Sequence, residues 1–273
     1  MKELFRKKHE LFLSILFGAF SLKDEKLYEV FYDFALIEYR HLSWLGSHIK
    51  EEDGEFDYDI NRDEVKFMAD TNFELFENLK VMIQNMSYPD SEMFARFKSD
   101  EEFFVQKIDY LLKDEKNNSL IVAYNKSRVI DGYELNETST NALIQFLFEE
   151  TYKEYELIMI YTYSDIFTDS KVLSSIFVDL IYESFFHLKS FARMLSKMGL
   201  LYLPRQIMKE VYQFDDLGQF LVDGIKEEEM AKIECIKLSQ AVQNEDLSNF
   251  FNFINNQENY HIELMKKALK EIS

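Results

Sequence analysis

The sequence predicts an all-α protein of two four-helix bundles in tandem, residues 1–113 and 139–273, joined by a short β-hairpin linker over residues 114–138. Three observations carry this. Only 7 Gly and 2 Pro occur, too few for the turn every roughly 8–12 residues that a sandwich or barrel needs. Apolar residues make up 47 % of the chain, with 26 Phe and 16 Tyr, enough for a substantial packed core. Over long stretches these residues recur at helical spacing.

Helix 1 is expected over about residues 2–20, with Leu4, Phe5, Leu11, Phe12, Ile15 and Leu16 on one face. Lys2, Arg6, Lys7 and Lys8 before that apolar run resemble the start of a signal peptide, but no small-x-small cleavage site follows. Helix 2 is expected over about residues 25–50 and carries Glu38 and His41 among Phe31, Phe34, Ala35, Leu42 and Leu45. An acidic loop follows. Helix 3 is expected from about Arg62 to Met86, stopped by Tyr88-Pro89-Asp90, and helix 4 from Ser91 to Lys113. Leu120–Tyr124 and Arg128–Leu135 are rich in β-branched and aromatic residues and read as the hairpin. The second half repeats the plan. Helix 5 runs from about Ser139 to Phe167, with Thr168-Asp169-Ser170 as turn and N-cap. Helix 6 runs to Met198 and stops at Gly199. A short helix is expected within Arg205–Phe214, then helices over about 217–242 and 246–272.

Charge and cysteine content narrow the function classes. The net charge of −19 repels a phosphate backbone, so no nucleic-acid partner is expected. No apolar run reaches the roughly 18–20 residues of a membrane span, and a cytoplasmic location is expected. The single Cys235 excludes an intramolecular disulfide framework and any Cys-x-x-Cys metal site.

The chemistry lies in paired Glu and His. On the last helix Glu258 and His261 are three residues apart, so both lean to one side and can hold one cation. Glu183 with His187 and Glu38 with His41 are similar pairs. In an antiparallel hairpin, residues equidistant from the turn share a height. A turn near Phe167 and Thr168 places Glu150 opposite Glu183, and a turn near Gln243 and Asn244 places Glu228 opposite Glu258. Glu150, Glu183, His187, Glu228, Glu258 and His261 then form one set of four carboxylates and two imidazoles. Four negative charges balance two divalent ions, iron or manganese.

In that order of ligands, residues 139–271 resemble the ferritin-like di-metal carboxylate proteins, rubrerythrin-like members most closely. The resemblance implies a bundle holding two iron (or manganese) ions that acts on peroxide or oxygen with an external electron donor, or binds and detoxifies iron. A homodimer is compatible with it. The chain departs from the family in two ways: Glu183 and His187 are one residue further apart than Glu-x-x-His, and no cysteine pairs exist for a rubredoxin-like iron site. The first half reads as a diverged copy, with Glu38, His41 and Glu102 as a weaker second site and Val105 where a histidine would stand. The alternative is a metal-free helical scaffold or interaction module, since Glu–His pairs on helices are commonly solvated surface.

Overall fold

A computed structural model describes residues 1–52, 54–67, 69–113, 133–202, 205–214, 216–242 and 244–272. Among them the chain is all-α. Its helices are α1 (Lys2–Ser21), α2 (Glu25–Glu52), α3 (Asn72–Gln84), α4 (Glu92–Leu112), α5 (Glu137–Phe167), α6 (Lys171–Lys197), α7 (Lys209–Tyr212), α8 (Leu217–Ala241) and α9 (Glu245–Ile272). The expected hairpin lies outside the described residues up to residue 132. Residues 133–136 are irregular, and α5 begins two residues before Ser139.

Side-chain caps fix most starts. Asn136 accepts from the Ser139 amide at 2.8 Å, Ser170 from Leu173 at 3.3 Å and Asp216 from Gln219 at 3.0 Å, each filling an amide that the helix cannot. Gly199 ends α6 at φ 70°, the left-handed conformation that suits a residue without Cβ.

Helix 3 is shorter than its sequence suggests. Residues 62–64 form a 3-10 turn capped by Asn61, and α3 starts only after Thr71, which accepts from the Glu74 amide. Between them Val65, Phe67 and Ala69 are buried while Lys66 and Asp70 are exposed. That alternation has the period of extended chain, not of helix, and the segment packs as such. The short helix expected within Arg205–Phe214 is limited to α7.

The chain divides into two compact units. Unit 1 is Met1–Lys126 with Gly199–Gln206, and unit 2 is Ser127–Met198 with Ile207–Ser273. In unit 1, α1 packs on α2, α2 on α4, α4 on α3 and α3 on α1. Phe31 stacks on Phe76 at 4.7 Å and Phe34 on Phe104 at 4.0 Å. Such ring pairs contribute about 0.5–1.5 kcal/mol beyond their buried area. Tyr202, from the segment after α6, is buried with its ring 5.8 Å from Phe17. In unit 2, α5 packs on α6, α6 on α9, α9 on α8 and α8 on α5. Contacts such as Asp165 with Ser174, Glu154 with His187, and Phe146 with Phe191 mark α5 and α6 as antiparallel. No helix among the described residues is long and apolar enough to cross a membrane.

Candidate metal centre

Inside unit 2, α5, α6, α8 and α9 each turn carboxylates or imidazoles inward. On α5 the residue at this height is Glu154, not Glu150. Its Oε1 lies 2.8 Å from His187 Nδ1, and its Oε2 is buried with no hydrogen-bond partner among the described residues. Glu150 sits one turn away and is drawn aside by Lys153 at 2.8 Å. The reason is the turn: it centres on Asp169, between Phe167 and Lys171, which shifts every partner on α5 toward the C-terminus. Glu150 and Glu154 share a face, four residues apart, so a small error in the turn exchanges them.

The other expected residues meet. His261 Nδ1 is 3.1 Å from Glu258 and 3.5 Å from Glu228. Its Nε2 is buried without a hydrogen bond, 4.0 Å from Glu183 Oε2. The His187 and His261 rings are 5.3 Å apart. α6 is a regular α-helix throughout, so Glu183 and His187 face one way as i,i+4 neighbours. A residue the sequence did not flag joins them: the Gln257 amide donates to Glu183 at 2.7 Å, and its carbonyl oxygen lies 3.2 Å from His187 Nε2. Ligand atoms lie within 4.8 Å of one another in three overlapping groups: Glu183, His187 and His261; Glu154, His187 and Glu258; Glu228, Glu258 and His261. His187, His261 and Glu258 each belong to two, which links the groups into one centre. Glu150 belongs to none.

Burial and mutual charge set the protonation. Burial alone would lower the histidine pKa values, but the carboxylates prevail. Glu154 helps to lift His187 to about 9, and Glu228 and Glu258 lift His261 to about 11. Glu258 is pushed well above the usual carboxylate range by burial and by its hydrogen bond to Glu228. Glu228 is lowered: burial opposes, but Glu258 and His261 outweigh it. Four carboxylates in so little space thus hold cationic charge among themselves. A cavity of about 240 Å³ reaches Glu154, Glu228 and Glu258 and is otherwise walled partly by Ile160, Ala231 and Met265. Tyr161 lines it, and its buried hydroxyl has no hydrogen-bond partner among the described residues.

The weaker second site differs from its expected form. Glu38 and His41 are buried, but Glu102 is exposed and lies 3.9 Å from Lys98. Glu101 turns inward instead, because it falls in the apolar stripe Phe94, Phe97, Phe104 and Ile108. Between the carboxylates stands Lys8, fully buried. Its ammonium donates to Glu38, and to Glu101 at 2.7 Å, and lies 3.3 Å from His41 Nδ1. Tyr88 donates to Glu101, and His41 Nε2 is 3.0 Å from Asp100. Burial would lower the Lys8 pKa, yet Glu38 and Glu101 raise it, so the ammonium stays charged.

Comparison with protein families, curated proteins and solved structures finds no match for this chain.

Proposed function

We propose that unit 2 is a ferritin-like four-helix bundle that binds two divalent ions, iron or manganese, and acts on peroxide or oxygen with an external electron donor. The pairings α5–α6, α6–α9, α9–α8 and α8–α5 support a closed ring of four helices, and the same ring can be drawn through α1, α2, α4 and α3 of unit 1. We read the chain as two such bundles in tandem.

The observation that carries the metal reading is the convergence of Glu154, Glu183, Glu228, Glu258, His187 and His261, with Glu154 Oε2 and His261 Nε2 buried and lacking hydrogen bonds. A buried polar atom without a partner costs about 1–3 kcal/mol, and a metal ligand is one role that accounts for it. The donor set fits: four carboxylates match two divalent charges, and mixed oxygen and imidazole donors suit iron or manganese. Glu154, Glu258 and His187 would hold one ion, and Glu228, Glu258 and His261 the other, with Glu258 shared and Glu183 beside both histidines. When bound, the ions would supply electron transfer, passing two electrons from the donor to peroxide, which with two protons gives two waters.

The chain's own residues do the rest. Glu154 accepts from His187 through Oε1, which fixes that ring, and would offer its buried Oε2 to the ion. Gln257 ties Glu183 to His187 across α6 and α9. Tyr161 holds its hydroxyl proton in the cavity, where an incoming oxygen atom can accept it.

Metal analysis of protein purified without chelator tests the reading. About two equivalents of iron or manganese are expected, with uptake lost in Glu154→Ala, Glu258→Ala and His261→Ala and retained in Glu150→Ala. No uptake after anaerobic ferrous addition would sink it and leave the metal-free scaffold as the reading.

A further inference from the structure

Among the described residues, the buried carboxylates of unit 1 enclose a lysine, whereas the cluster of Glu154, His187, Glu228, Glu258 and His261 in unit 2 has none at its centre. α2 supplies Glu38 and His41, as α6 supplies Glu183 and His187. α4 supplies Glu101, as α9 supplies Glu258. At the height where α5 offers Glu154, α1 offers Lys8, whose ammonium touches Glu38, Glu101 and His41 together. Where His261 follows Glu258 by three residues, Phe104 follows Glu101 and is buried against Phe31 and Phe34.

We propose that Lys8 is a built-in cation: its ammonium takes the position of a divalent metal among Glu38, His41 and Glu101, so unit 1 contains a metal site closed by its own side chain. Three lines support it. The donor atoms of Glu38, His41 and Glu101 lie within 4.8 Å of one another, so a small inward shift brings them to metal–ligand bonds of about 2.0–2.2 Å. All three residues are buried, so the two carboxylates need a cation from somewhere. The outer partners resemble those of a metal site: His41 is oriented by Asp100 through its far nitrogen, and Glu101 accepts from Tyr88. Removing the lysine side chain would leave both a negative cage and a void along the former stem, in which water can complete the coordination.

The chain as it stands therefore takes up no metal in unit 1, and Lys8→Ala creates a site there. The test titrates Co(II) into full-length wild type and Lys8→Ala, reading stoichiometry by calorimetry and imidazole ligation by visible absorption. Lys8→Ala is expected to bind one equivalent more than wild type, whatever unit 2 binds, and adding His41→Ala to it removes that equivalent. If Lys8→Ala does not fold alone, Co(II) should restore its fold, with Lys8→Arg folding without metal as the control. Three results would overturn the proposal: a folded Lys8→Ala with no additional uptake, failure to refold with Co(II), or wild-type uptake that His41→Ala abolishes. Each outcome is independent of whether unit 2 binds iron.

Discussion

His9 stands beside Lys8 on α1 but turns to other company. It is fully buried against Tyr58 and hydrogen-bonds the backbone of Tyr58 and Asp59. Burial lowers its pKa to about 3 in the folded chain, against roughly 6.5 when unfolded. The unfolded state therefore binds the extra proton between those values. The stability His9 confers is complete above pH 6.5 and is lost as pH falls toward 3, by about 1.4 kcal/mol per unit. Urea unfolding across that range should show this slope in wild type and lose it in His9→Gln; an equal slope in both would refute the assignment. The residue scale is also where sequence reading erred most. The sequence reads Lys8 as part of a basic N-terminus and places Glu102, not Glu101, beside Glu38 and His41. The apolar stripe on α4 holds the missing information, since Glu101 continues the spacing of Phe97 and Phe104. On α5, Glu154 lies seven residues from both Leu147 and Tyr161, on the buried face.

Two helical glycines face side chains of a neighbouring helix, with different room to spare. A Cβ on Gly18 of α1 would sit 3.1 Å from Leu75 Cδ1 of α3, in a fully buried contact. Gly18→Val adds more atoms than that contact can absorb and should cost about 1–3 kcal/mol. On α8, a Cβ at Gly224 meets the sulfur of Met265 at 3.2 Å, the adaptable end of a flexible side chain. Gly224→Ala should therefore be neutral or stabilise by up to about 1 kcal/mol, as the helix interior favours alanine. Thermal unfolding of the two variants checks the contrast, and a loss in Gly224→Ala as large as in Gly18→Val would contradict it. Most helices were legible from apolar spacing, caps and the scarcity of glycine. The exception was residues 65–71, where the alternation of Val65, Phe67 and Ala69 is a period-two signal inside what otherwise reads as continuous helix.

Across the whole chain, the two units should respond differently to metal. Unit 1 carries its cation covalently in Lys8, whereas unit 2 gathers carboxylates around two histidines. A metal present at roughly a hundred times its Kd stabilises the unit that binds it by about 2.7 kcal/mol. Hydrogen exchange read peptide by peptide should then show added protection in α5, α6, α8 and α9 and none in α1 to α4. Uniform protection, or protection confined to unit 1, would count against the division of roles. A division into two halves was readable because each half carries a Glu–His pair on its second helix. The route of the chain between the units was not, because nothing in the composition of residues 199–206 marks them as belonging to unit 1.

That segment bears on how the protein is made. Tyr202 fills a place beside Phe17, yet it is synthesised after all of α5 and α6. A nascent chain emerging from the ribosome cannot complete its first unit when the first four helices are out. It must wait until the whole of α5 and α6 has followed, so the two units are linked by order of synthesis as well as by a peptide bond. A fragment ending near residue 126 would leave Phe17 without Tyr202, and a cut between the units does not yield two whole halves.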